Sequence, residues 1–218
     1  MSDVRIFLRP LGSPLPLGFL GLAGATFVLA GAQLGWVGPG ESGVVGLVLV
    51  AFAVPMQGLA SVLGFLGRDV VAGTGMGLLA ATWLTVGLAK LGSVPGTTSD
   101  AVGLLLFVSA AGLLVVVVSA GFGKLLASAV LATAACRFVA TGLYEMTSAD
   151  GWETVAGILG LLLAAVAVWA ALAFVSEDSL GRGLVPTLRG RPGRAATDGT
   201  MADEVSGVQH EAGVRRML

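Results

Sequence analysis

Six stretches of this chain run for about 20 residues with almost no charge, the length needed to cross the ~30 Å hydrocarbon core of a bilayer as a helix. They cover residues 17–37, 43–66, 70–91, 101–120, 123–143 and 152–175. Of the 218 residues, 56% are hydrophobic and only 11% are charged. A water-soluble domain carries roughly 25% charge, so a folded monomer of this chain cannot cover itself with polar groups, and lipid must face much of its surface. The expected fold class is an all-α integral membrane protein, a six-transmembrane-helix bundle. No strand alternation of useful length competes with it. The run from Val115 to Val118 is β-prone in water, but in lipid a helix satisfies its own backbone.

The breaks between runs carry turn chemistry. Gly38-Pro39-Gly40-Glu41-Ser42-Gly43 ends the first, and Arg68-Asp69 is so short that the second and third helices should be antiparallel neighbours. Gly92 to Asp100, Gly121-Phe122-Gly123-Lys124 and the acidic Glu145 to Glu153 supply the others. With six spans, one side of the membrane receives Arg5, Arg9, Arg68, Lys124 and the arginines from Arg182 to Arg216. The other receives Lys90, Glu41, Asp100, Glu145, Asp150 and Glu153. Lysine and arginine mark the cytoplasmic side, so both termini are expected there, in a multi-pass protein of the plasma or inner membrane. An odd number of spans would split the basic ends.

Three segments follow: a cytoplasmic N-terminal segment, 1–16; a membrane domain, 17–186; and a disordered cytoplasmic tail, 187–218, rich in Gly, Arg, Ala and Asp and without apolar periodicity. Arg5, Arg9 and Ala30-Gly31-Ala32 imitate a secretory signal, but the run is long and a proline-rich segment precedes it, which favours a retained span.

Several chemistries lack their residues. Cys136 is the single cysteine and His210, in the polar tail, the single histidine, so neither a disulfide nor a typical transition-metal site is expected. No Ser/His/Asp or Cys/His arrangement is available, which argues against an enzyme. No cofactor is implied. A net charge of −1 gives no reason to expect nucleic acid. Gly73, Gly75 and Gly77 lack the strand context of a phosphate loop.

The most informative residue is Arg137, deep in the fifth run. An arginine there costs at least about 2.5 kcal/mol on insertion scales and faces a cavity or a partner. Thr133 and Thr141 lie four residues to either side and Tyr144 seven residues on, which predicts a shared polar strip. Ser128, Ala132, Cys136 and Ala140 form an adjacent small-residue stripe, read as a packing seam. A cationic, hydroxyl-lined strip can draw a small anion into a narrow path. The structural alternative pairs Arg137 with a buried acid or carbonyl, or has it snorkel outward; Glu145 is eight residues on, about 12 Å along the axis. Gln57, two residues after Pro55, either serves the carbonyl that proline frees or lines a pore. Gln33 reads as an interface marker. The Gly31–Gly35 spacing is a weak helix-packing signal in a chain with 34 glycines.

Three segments resemble the acetate uptake transporter family, the succinate–acetate permease group. Ser13-Pro14-Leu15-Pro16-Leu17-Gly18 is similar to its Asn-Pro-Ala-Pro-Leu-Gly signature, and Gly181-Arg182-Gly183-Leu184-Val185-Pro186 to its Gly-Arg-Thr-x-Leu-Pro segment. Gln57 and Thr82-Trp83-Leu84 fall where the family has Ala-Gln and Phe-Trp-Leu. The resemblance implies six-helix protomers assembled as homo-oligomers, specifically hexamers, with a pore in each protomer for small carboxylate anions such as acetate and succinate. It implies that Ser13, Pro14, Pro16, Gly18 and Phe19 lie at the pore mouth and Gln57 near the pore. The chain departs from the family at Ser13, at Leu78-Leu79-Ala80 in place of Ser-Tyr-Gly, and at Arg137, where an apolar residue is expected. The expected function is therefore a carboxylate transporter or channel. Its alternatives are a non-conducting structural or partner-binding subunit and a channel for a small neutral solute.

Overall fold

A computed structural model describes residues 12–120, 124–180 and 184–186, with the side chains of all of these except 178–180. The apolar runs are helices: α1 (Leu15–Gln33), α2 (Ser42–Val48), α3 (Val54–Leu66), α4 (Val70–Gly92), α5 (Asp100–Ala120), α6 (Leu125–Thr147) and α7 (Asp150–Leu180). Among the described residues six helices are long and apolar enough to cross a membrane, because Pro39–Leu66 is continuous. A 3-10 turn, Pro39–Glu41, opens that span and a π turn, Leu49–Ala53, joins α2 to α3. The π turn ends two residues before Pro55. Proline donates no N–H and its ring crowds the carbonyl four residues back, so a locally widened ladder carries the helix past it.

Helix ends follow local chemistry more than hydropathy. The first run is apolar to Val37, yet α1 stops at Gln33 because Gly35 adopts φ +75°. The N–H of Trp36 then donates to the Gly31 carbonyl (2.8 Å) and that of Gly35 to Ala32 (3.1 Å), a Schellman closure. Gly31 and Gly35 thus make a turn rather than a packing motif between helices. The same closure ends α3 with Arg68 in the left-handed position at φ 59°, and Asp69 donates its N–H to the Gly64 carbonyl (2.8 Å). Asp69 then caps α4, accepting from Ala72 N–H at 3.0 Å, and pairs with Lys124 at the start of α6. At the other end of the chain α7 reaches Leu180, beyond the expected limit at 175, and Leu184 donates its N–H to Ser176 Oγ (3.1 Å).

Glycines set how closely the helices cross. A Cβ on Gly46 would stand 2.7 Å from the Gly87 carbonyl oxygen, one on Gly64 2.7 Å from the Gly73 nitrogen, and one on Gly103 3.0 Å from the Gly142 carbonyl oxygen. Three crossings, of α2 with α4, α3 with α4 and α5 with α6, are thus backbone against backbone. Phe19 near the start of α1 packs on Phe174 near the end of α7, while Leu34, just past α1, meets Gly157 near the start of α7. The first and last spans are antiparallel, so their outer ends share one face of the bundle. Outward-facing residues such as Leu104, Val108, Val115 and Val118 on α5 and Ile158, Leu162 and Trp169 on α7 are exposed and apolar, as a lipid-facing surface requires. Arg5, Arg9, the 187–218 tail and Gly181-Arg182-Gly183 lie outside the described residues.

Candidate functional site

Arg137 projects from the middle of α6 into the bundle and is fully buried. Its Nη2 donates to Gln33 Oε1 at 3.2 Å. Its guanidinium lies 5.5 Å from the centroid of the Trp83 ring on α4, within cation–π range. Trp83 stands edge-on to Phe138, one residue beyond Arg137, with centroids 5.6 Å apart. On α7, Gly160 makes room for the guanidinium: a Cβ there would stand 2.7 Å from Arg137 Nε and 2.8 Å from Ala30 Cβ. The Gly160 carbonyl accepts from Thr26 Oγ1 at 3.4 Å. Four spans therefore converge on one cation.

The cation has no matching charge among the described residues. Among the described residues Arg137 forms no ion pair, and Arg137 Nε and Trp83 Nε1 have no protein acceptor. Both are donors only. Glu145, the sequence candidate for a partner, is engaged elsewhere: its Oε2 accepts the Ser99 N–H at 2.9 Å and so fastens the loop ahead of α5.

Gln33, the last residue of α1, bridges this cluster to the outside. Arg137 can only donate, so the glutamine carbonyl must face it and the amide must face away. Gln33 Nε2 accordingly donates to Thr141 Oγ1, at 3.5 Å. Gln33 and Thr141 also line a vestibule of about 230 Å³ whose walls include Lys90, Ser99, Tyr144, Glu145 and Glu153. The vestibule lies at the end of the bundle formed by the 34–42, 93–99 and 145–153 turns.

A second polar point lies near the opposite end. Gln57 is fully buried, and its Nε2 donates across the helix interface to the Gly18 carbonyl at 3.4 Å. It does not serve the carbonyl freed by Pro55, and its Oε1 has no protein donor. Gly18 and Gln33 are fifteen residues apart on α1, about 22 Å along the axis, so Gln57 and Arg137 occupy separate levels. At the Gln57 level Gly18 lies against Met76, Phe19 is buried, Pro14 and Pro16 sit in the first turn, and Ser13 is exposed. Leu79 is fully buried in the core, whereas Leu78 covers Gly112 on α5.

The strip expected on α6 is only partly present. Thr141 and Tyr144 reach the vestibule, but Thr133 is half-buried and donates to the Ala129 carbonyl of its own helix at 2.8 Å. Each four-residue step turns about 40° around a helix, so Thr133 has rotated toward the outer face. The same drift exposes Cys136, which leaves the proposed packing seam; the close contact on α6 is made by Gly142 instead. Sequence reasoning read Gln33 only as an interface marker and did not single out Gly160. Gln33 carried one usable signal, a polar side chain at the end of an apolar run; Gly160 carried none among so many glycines.

No family model matches the chain, and no curated protein matches it in sequence. Among solved structures it is similar to the bacterial acetate channel SatP, with a TM-score of 0.72 and 21% identity over 83% of this chain and 99% of that one. The chain thus has the all-helical, six-span fold of that channel, the architecture to which its end motifs pointed.

Proposed function

We propose that this protein passes small anions, short carboxylates first among them, along a path inside each protomer. The observation that carries this reading is a fully buried guanidinium without an ion pair among the described residues, hydrogen-bonded to Gln33, which with Thr141 lines a vestibule. An unpaired buried charge costs several kcal/mol, and a passing anion offsets that cost while it is bound. The fold shared with an acetate channel supports carboxylates as the substrate class. In this reading Arg137 attracts the anion, Gln57 donates a hydrogen bond at the far level, and Ser13, Pro14, Pro16, Gly18 and Phe19 frame the far mouth. The protein assembles as a homo-oligomer, a hexamer by resemblance, in the cell membrane with both ends cytoplasmic, so the vestibule opens outward.

The test is flux of labelled acetate, propionate and succinate into liposomes holding the pure protein, with glycerol and urea as neutral controls. Arg137→Leu is expected to reduce carboxylate flux at least about tenfold, the loss of one charged hydrogen-bonding group, with the oligomer intact. Wild-type flux at the level of empty liposomes would sink the reading, and flux of glycerol or urea alone would replace it with a neutral-solute channel. A second reading has support in the dense packing around the guanidinium by Gly160, Trp83 and Phe138, which suits a structural subunit. Loss of assembly in Arg137→Leu, without wild-type flux, would establish that reading.

A further inference from the structure

We propose that the Gln33 side chain is a built-in stand-in for the substrate: its amide occupies the carboxylate site of Arg137 and must be displaced for an anion to bind. This deepens the conduction reading and rests on it for the identity of the anion as a small carboxylate.

The geometry assigns the role. A primary amide and a carboxylate share planarity and size, and both present an oxygen acceptor. The Gln33 carbonyl oxygen already takes the acceptor position at Arg137 Nη2. Two further donors, Arg137 Nε and Trp83 Nε1, are buried without protein acceptors, and both side chains are essentially inaccessible. A neutral amide oxygen satisfies one N–H of a cation that can make several charge-assisted bonds. An incoming carboxylate makes stronger bonds to the same group and supplies the missing charge.

The exchange is mechanically simple. Gln33 is the last residue of α1, followed by the Gly35 turn, and its other contact, to Thr141, is at the 3.5 Å limit of a hydrogen bond. Its side chain stands on the vestibule wall, so it can swing outward without breaking a helix. The volume released is that of one amide group. That favours monocarboxylates of one to three carbons and disfavours an extended dicarboxylate in this site.

The experiment measures binding separately from flux. Purified protein in detergent is melted with increasing sodium acetate at constant ionic strength, using sodium gluconate as the size control, and flux is measured in parallel. Ligand that binds only the folded state raises the melting temperature. Acetate is expected to stabilise the wild type and gluconate is not. Gln33→Glu places a tethered carboxylate on Arg137, so acetate stabilisation and acetate flux should both disappear while the oligomer persists. Gln33→Ala removes the competitor and should lower the half-saturating acetate concentration roughly tenfold, the weight of one hydrogen bond to a charged group.

If Gln33→Glu responds to acetate as the wild type does, or Gln33→Ala binds more weakly, the stand-in role is overturned while conduction stands on the flux measurement. If acetate stabilises neither the wild type nor Gln33→Ala, no carboxylate displaces Gln33 and the proposal fails. If binding follows the expected pattern without flux in any variant, the site is upheld and the conduction reading falls alone.

Discussion

The guanidinium of Arg137 sits where three independent kinds of contact meet: a hydrogen bond donated to Gln33, the face of Trp83, and the missing side chain of Gly160. The last is the most sensitive to change. Gly160→Ala would press a methyl group on both Arg137 Nε and Ala30, and such overpacking costs typically 1–3 kcal/mol. We expect the variant to assemble with lowered thermal stability and to carry acetate at least about tenfold more slowly, since small misplacements of a binding group are costly. Flux normalised to folded protein checks this; an unchanged rate would separate Gly160 from the anion path. Gln57 is expected to behave differently. Its one hydrogen bond is long and its Oε1 is unsatisfied, so Gln57→Met should leave stability within about 1 kcal/mol of the wild type, because removing an unpaired buried acceptor offsets the lost bond. Denaturation midpoints in detergent measure that difference, and a larger loss would show Gln57 to be a structural clasp on α1.

At the level of helices, the backbone crossings dominate. Gly64→Val would drive a branched side chain into the Gly73 backbone, 2.7 Å from the position of its Cβ, which cannot yield as a flexible side chain does. Separation of α3 from α4 is expected, seen as a loss of at least about 3 kcal/mol or of folded protein on gel filtration. Asp69→Ala should cost about 1 kcal/mol through the lost cap on α4, with a small addition from the partly exposed pair with Lys124; Asp69→Asn, which keeps a capping oxygen, should cost less. Here lies the boundary of what could be read in advance. Existence and order of the six spans were legible because lipid leaves the backbone one solution over 20 apolar residues. The ends were not, since Gly35 and Arg68 stop helices by a positive φ that hydropathy does not register. Arg137 was legible as a functional candidate because its cost in lipid is large. Its partners were not: Gln33 comes to it across 104 residues, and only the packing of both α1 and α6 against α7 reveals the contact.

For the whole molecule, the antiparallel pairing of α1 with α7 puts both outer ends on one face, and the proposal that this face is cytoplasmic rests on the placement of lysine and arginine in the sequence. A single cysteine at Thr97, in a background with Cys136→Ala, is expected to react with a membrane-impermeant maleimide added to intact cells, because Thr97 lies in an exposed turn at the vestibule. Labelling only after the cells are opened would invert the protein. The buried arginine also bears on how the protein is made. A helix with a central arginine enters a bilayer poorly by itself, by about 2.5–3.5 kcal/mol for that residue, whereas the α5 helix synthesised just before it has no charge beyond Asp100 at its start. Chain order eases the difficulty: Gln33 and Trp83 leave the ribosome before Arg137, and Gly160 follows within one further span. A glycosylation reporter placed after α6 should therefore show efficient insertion behind α1–α5 and poor insertion when α6 is presented alone. Under the conduction proposal, the cation that would receive an anion is thus also what makes the fifth span a dependent guest in the membrane, admitted by helices that arrived earlier.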